Sequence, residues 1–222
     1  MCAQFILRTS LTRLLERLGA AVLPSNKDLT LPERVMPFRS GAVLTLKDDS
    51  AVLELMQYSL VPSWSKEKRP KYATYNARLD TIESKAAWKK PFARNHCIVP
   101  ISRFIEPIYC GEYAGNMVQF HDEASEFLLA AGIFDEWRGE PSGEPLRSFA
   151  LITDEPCDYV REIGHDRQPI FLEDGAAREW LKVNDIPVSQ LKEFLRSNAV
   201  TPALTCEVDR PMKAGWEKRI SQ

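Results

Sequence analysis

A cysteine stands at position 2, directly behind Met1. Initiator methionine is usually removed when the next side chain is small, and its removal leaves an α-amine and a thiol on adjacent carbons of Cys2. Their ordinary pKa values, about 7.7–8.0 and about 8.5, leave an appreciable share of each nucleophilic at neutral pH. Such a 1,2-aminothiol condenses with an aldehyde to an imine, and the thiol then closes a five-membered thiazolidine, a ring no other N-terminal residue offers. The same residue could serve as the nucleophile of an amide hydrolase, with its own amine as base. A cysteine in second place is also an unremarkable event, so Cys2 by itself decides nothing.

Three downstream motifs carry matching chemistry: Tyr75-Asn76-Ala77-Arg78, Arg103-Phe104-Ile105-Glu106-Pro107, and Gly164-His165-Asp166-Arg167-Gln168-Pro169. A carboxylate and an imidazole can be tuned toward neutrality by burial and neighbours, which suits Glu106 and His165 to moving protons. Guanidinium groups fork onto phosphate oxygens, a role open to Arg78 and Arg167. Read singly, Asn76 serves as well as a turn former, Glu106 as a surface carboxylate and His165 as a loop histidine. From Pro62 to Tyr75 the chain is polar and basic, without clear periodicity, and reads as a long surface loop. Its Lys66, Lys68, Arg69 and Lys71 interleave with Trp64, Tyr72 and Tyr75, a mixture suited to phosphates and unstacked bases. Trp64 taken alone is expected to pack against the core.

These residues need a scaffold, and 222 residues suffice for one well-buried core. A single domain over 1–222 is expected. The net charge of −2 excludes a basic nucleic-acid binder as a whole, but from Val61 to Arg103 ten lysines and arginines stand against three acidic residues. That segment carries +7 and the remainder −9, which fits either a phosphate-binding cleft or ordinary solvated charges. The five cysteines (Cys2, Cys97, Cys110, Cys157, Cys206) form no C-x-x-C pair, and His96, His121 and His165 complete no ligand cluster. Chemistry without metal or cofactor is expected. The longest apolar stretch, Phe127 to Phe134, falls far short of the roughly 20 residues that span a bilayer, so no membrane segment and a cytoplasmic location are expected.

Strand-like runs lie at Val43 to Lys47, Val52 to Leu60, Cys97 to Phe104, Val118 to Phe120, Phe127 to Phe134, Phe149 to Thr153, Ile170 to Leu172 and Leu204 to Val208. Helical patterns cover Leu11 to Leu18, capped by Ser10, then Thr81 to Trp88, Gly175 to Lys182 and Ser189 to Arg196. Leu11, Leu14, Leu15 and Leu18 make one core-facing stripe, so the arginine-rich start reads as a first helix and not as a transit peptide. Helices and strands do not alternate regularly, which predicts an α+β fold with a mainly antiparallel core.

Taken in order, the motifs resemble the SOS response-associated peptidase (SRAP) family, whose pattern is Met-Cys-Gly-Arg, then Asn-Ala-Arg, a Glu after an aromatic-rich strand, and His-Asp-Arg-x-Pro. The resemblance runs nearly end to end and takes in Val61-Pro62-Ser63-Trp64, Ile98-Val99-Pro100, Leu151-Ile152-Thr153 and Val208-Asp209-Arg210. It implies sheets curled toward a barrel with peripheral helices, and a nucleoid-associated monomer that senses abasic sites in single-stranded DNA through a thiazolidine crosslink. Carried over by residue, Cys2 supplies amine and thiol, Asn76 orients the amine, and Glu106 and His165 move protons. DNA contact is implied for Arg78, Arg167, Thr153, Trp64, Lys66, Lys68, Arg69 and Lys71. The chain departs from the pattern at Ala3-Gln4, which replaces Gly-Arg, and at Pro107, which follows the Glu where the family has Trp. An N-terminal-cysteine amide hydrolase or peptidase, and a non-catalytic single-stranded DNA-binding relative, are the competing readings.

Overall fold

The computed structural model describes residues 4–22, 30–139, 144–182 and 186–219. In chain order the first half contains β1 (Gln4–Ile6), α1 (Leu11–Leu18), β2 (Ala21–Val22), β3 (Arg34–Val35), β4 (Ser40–Lys47), β5 (Ser50–Tyr58), β6 (Asn76–Arg78), α2 (Ala86–Arg94), β7 (His96–Ile101) and β8 (Arg103–Ile108). The second half adds β9 (Asn116–Asp122), β10 (Leu128–Trp137), β11 (Leu146–Asp154), α3 (Asp158–Ile163), β12 (Gln168–Pro169), β13 (Phe171–Leu172), α4 (Asp174–Lys182), α5 (Val188–Asn198), β14 (Ala199–Val200) and β15 (Leu204–Pro211). A short 3-10 turn, Trp216–Arg219, follows.

Strands β11, β5, β4, β7 and β10 pair in sequence, and β10 returns to β11, closing a five-stranded barrel. Only the β5–β11 seam of that ring is parallel. A second, wholly antiparallel sheet runs β15-β9-β8-β1-β3. The result is the α+β, mainly antiparallel architecture that the sequence predicts.

Barrel strands serve two cores, one on each face. Leu44, Ile98, Ala150 and Ile152 join Leu14, Trp88, Phe92, Trp180 and Leu191 of the helices. Their strand neighbours Val43, Val99, Phe149 and Leu151 join Phe5, Phe104 and Phe120 of the second sheet. Burial on both faces explains why 97–104 and 127–134 read as continuous apolar runs and not as alternation. The run at Cys97 to Phe104 is nevertheless two strands: Ser102 donates its N–H to the Ile6 carbonyl (2.8 Å) and accepts from the Arg8 N–H (2.9 Å), passing the chain from barrel to second sheet.

Local chemistry sets the ends of the elements. Ser10 Oγ caps α1 by accepting the Arg13 N–H (3.2 Å), and Gly19 closes the helix in the left-handed region. Lys47 pairs with Ser50 across Asp48 and Asp49, both at positive φ (49° and 60°), the type I′ turn whose twist matches the strands. The helix expected at Thr81 to Trp88 lies further on, at Ala86–Arg94, after a run of turns. It continues through Pro91 because Ala87, Trp88, Pro91 and Phe92 bury one stripe. Burying Trp88 and Phe92 gains roughly 1.5–3 kcal/mol each, which offsets the roughly 3 kcal/mol cost of an interior proline.

His96 ties this helix to α4. Its Nε2 lies 2.7 Å from the Phe92 carbonyl and its ring 4.2 Å from that of Trp180. Burial lowers its pKa from 6.5 to about 4. The stability that comes from keeping the ring neutral is therefore whole above pH 6.5 and is lost as pH falls through about 4. We expect a loss of about 3 kcal/mol across that window. Urea midpoints measured against pH check this, and His96→Gln is expected to flatten the dependence.

Candidate active site

Along β8, Phe104, Glu106 and Ile108 fall on one face, turned into the second core, and Glu106 is fully buried. A carboxylate there is costly as an anion, and burial pushes its pKa above the ordinary 4.5, with His165 pulling the other way. The partner strand is β1: Phe5 pairs with Phe104 and Gln4 with Ile105, the residue next to Glu106. Phe5 anchors this strand between Tyr58 and Phe149, at ring distances of 5.3 and 6.3 Å. Gly41 makes room for it, since a Cβ there would lie 3.2 Å from both the Phe5 and Phe149 rings. The start of the described chain is thus fixed beside the buried carboxylate. Cys2 itself lies outside the described residues.

His165 reaches Glu106 from the other side, with Nε2 3.4 Å from Oε2 and both side chains almost wholly enclosed. Its position follows from the end of α3. Gly164 takes φ +106° and packs so closely that a Cβ would meet the Cys110 carbonyl at 2.7 Å, so only glycine serves there. The His165 N–H then bonds back to the Val160 carbonyl (3.1 Å) and the ring turns inward. Nδ1 lies 2.8 Å from the Arg167 carbonyl and 3.2 Å from the Arg167 N–H. The shorter contact favours a proton on Nδ1, and Nε2 then faces the Glu106 carboxyl.

Asn76 and Arg78 occupy β6, which pairs in parallel with β11: Asn76 opposite Leu151, Arg78 opposite Thr153. Asn76 is buried in a strand, so the turn-former reading fails, as does a surface role for Glu106. The Tyr58 hydroxyl donates to Asn76 Oδ1 (3.2 Å), which assigns the amide and leaves Nδ2 as donor on the other side. Thr153 also pairs with Pro169 of β12, so the His165–Pro169 segment borders the same strand. Its buried Oγ1 has no hydrogen-bond partner among the described residues. Asp80 lies between the two arginines, 3.2 Å from Arg78 and 3.5 Å from Arg167. Desolvation raises its pKa, but the two guanidiniums outweigh that and hold it below the ordinary value.

The basic loop is peripheral to these groups. Trp64 is 57% exposed, against the expectation that it packs in the core, and its Nε1 only grazes the Ala86 carbonyl at 3.4 Å. Lys66 and Lys68 are exposed, Lys71 pairs weakly with Glu67 (3.6 Å), and Arg69 lies over the Phe38 ring at 4.3 Å. A groove of about 410 Å³ links this loop to the site, lined by Tyr72, Asn76, Arg78, Lys85 and Trp88. Two contributors escape sequence reading: Tyr58, which is one apolar position in a strand pattern, and Asp80, which is one carboxylate after a turn. Helix α3 is not among the helices expected from the sequence, although Asp158 in its first turn and Gly164 after its last are the signals that mark it.

The architecture matches solved structures. A protein from Bacteroides thetaiotaomicron superposes with a TM-score of 0.76 at 20% identity, covering 94% of this chain and 92% of that one. One from Bordetella bronchiseptica gives 0.76 at 22% identity, covering 94% and 100%. These likenesses define the fold class. The chain belongs to the SOS response associated peptidase (SRAP) family, which it matches over residues 1–212. Among its relatives, abasic site processing protein YoqW of Bacillus subtilis is 28% identical over 205 residues, 88% of this chain and 87% of the relative. Abasic site processing protein HMCES of Gallus gallus is 32% identical over 167 residues, 65% of this chain and 49% of the relative.

Proposed function

We propose that the protein processes abasic sites in single-stranded DNA by bonding them covalently to Cys2 after Met1 is removed. The observation that carries this reading is the buried Glu106–His165 pair, 3.4 Å apart, beside the strand that Cys2 leads into. Cys2 precedes Gln4, the first residue of that strand, by two positions in the sequence. The relatives' names point to the same lesion.

An abasic sugar in its open form presents an aldehyde at C1′. The Cys2 amine attacks that carbon, and the carbinolamine loses water to give the imine. The leaving hydroxyl needs a proton, and a carboxyl whose pKa is raised is a donor suited to supply it. Cys2 Sγ then adds to C1′, its proton passes to the nitrogen, and the thiazolidine closes with no atom unaccounted for. His165, facing Glu106, returns protons between these steps. Asn76 Nδ2 holds the neutral amine through its lone pair. Arg78 and Arg167 take the flanking phosphates, with Asp80 giving way to them, while Thr153 lines the cleft. Trp64, Lys66, Lys68, Arg69 and Lys71 extend the contact along the strand.

Mixed with single-stranded DNA bearing one abasic site, the Met1-free protein is expected to give a band of reduced mobility that survives denaturation. DNA carrying tetrahydrofuran, which mimics the lesion without an aldehyde, is expected to give none. No band with the true lesion, or release of a peptide or acyl group without any need for DNA, would overturn this reading.

A further inference from the structure

A second groove, of about 570 Å³, opens between Tyr75 and Pro107, each one residue away from a proposed catalytic group, and the segment that follows β15. Its aromatic lining is Tyr75, Tyr109 and Trp216, with Met117 adding a polarizable thioether. The Trp216 seat is specific. Gly115 takes φ +82°, and a Cβ there would lie 3.0 to 3.3 Å from three atoms of the indole, so the ring rests directly on the glycine backbone. Gly115 is itself tied to β8 by its N–H to the Ile108 carbonyl (3.0 Å), and it accepts the Met212 N–H (2.8 Å). The indole is therefore held at a fixed distance from the strand that carries Glu106, only half-buried, with the Tyr109 ring 6.4 Å away.

Cations border the aromatic surface. Arg210 pairs with Asp209, and exposed Lys213 has no ion pair among the described residues. Aromatic faces beside lysine and arginine are the combination that binds unpaired bases with their phosphates. Pro107 supplies no flat ring beside Glu106, whereas this groove supplies several. Lys213 to Trp216 also lie past residue 212, where the match to the family ends.

We propose that the groove takes the base of a nucleotide next to the lesion, stacked on Trp216, with its phosphate set against Lys213 and Arg210. This rests on the reading above that the substrate is single-stranded DNA.

The test is a binding cycle on oligonucleotides with a central tetrahydrofuran, which cannot crosslink. The neighbouring 5′ or 3′ nucleotide is either intact or a second tetrahydrofuran, and affinity is read by fluorescence anisotropy. On one side, removing the base is expected to weaken wild-type binding about tenfold, and Trp216→Ala is expected to lose about the same on the intact oligonucleotide. The two losses are not expected to multiply, because one contact underlies both. Trp216→Phe, which keeps a ring, is expected to retain most of the affinity and shows that the fold is not the cause. Unchanged binding by Trp216→Ala, or losses that multiply to about a hundredfold, would overturn the proposal. If the coupling holds but no crosslink forms on a true lesion, the crosslinking reading fails alone. If the crosslink forms without the coupling, the groove fails alone, and a wild type that binds no oligonucleotide overturns both.

Discussion

Cys2→Ala is expected to abolish the denaturation-resistant crosslink, leaving the abasic-DNA band at background. The reason lies in the two steps assigned to the residue. An alanine exposed after Met1 removal still carries an α-amine that can form the imine, but no thiol remains to close the ring, and an open imine hydrolyses. Borohydride added during the reaction is therefore expected to restore a band with Cys2→Ala by reducing that imine to an amine. A stable band without reductant would move the nucleophile elsewhere, to a lysine. No band even with reductant would remove the amine from its assigned part. The variant thus separates the two nucleophiles that one residue supplies.

Glu106→Gln is expected to slow crosslinking by about 10²–10⁴, the range a positioned acid or base contributes. Glutamine keeps the shape and the hydrogen-bonding atoms but neither gives up nor takes a proton. The pH behaviour gives a second reading. Burial raises the Glu106 pKa above 4.5, so the wild-type acid form persists into a higher pH range and is lost as pH passes the raised value. That alkaline fall in rate is expected to vanish in the variant. Stability carries the same sign: the contribution from a neutral Glu106 is whole below 4.5 and is lost as pH rises through the raised value. Glu106→Gln, which has no such loss, is expected to melt higher than wild type at pH 8. At pH 4 the two are expected to coincide. A variant that is less active and more stable identifies a group kept for chemistry and not for folding. Equal rates, or a lower melting temperature at pH 8, would contradict that assignment.

What the sequence discloses follows physical rules. Helix α1 is legible because its stripe and both caps are local, and the β4–β5 strands are legible because their β-branched and apolar runs end at a turn. The three downstream motifs are legible as chemistry but not as a site, since Glu106 and His165 meet only through the junction of two sheets. Strand β1 is three residues long, too short for any period to show, yet Phe5 anchors it in the second core. Helix α2 is displaced from its predicted place because burial of Trp88 and Phe92 outweighs a proline that propensity treats as a stop. Trp64 misleads for the opposite reason: a large ring predicts burial on average, and this one stands on an exposed loop. Asp80 is invisible as a clamp until the fold brings Arg78 and Arg167 to either side of it.

The most direct test of the central claim is an intact mass, followed by peptide mapping, of the protein incubated with abasic single-stranded DNA. The expected result is a chain without Met1, heavier by the oligonucleotide less one water, with the adduct mapped to the peptide that begins at Cys2. An unmodified chain, or an adduct on any other residue, would contradict it.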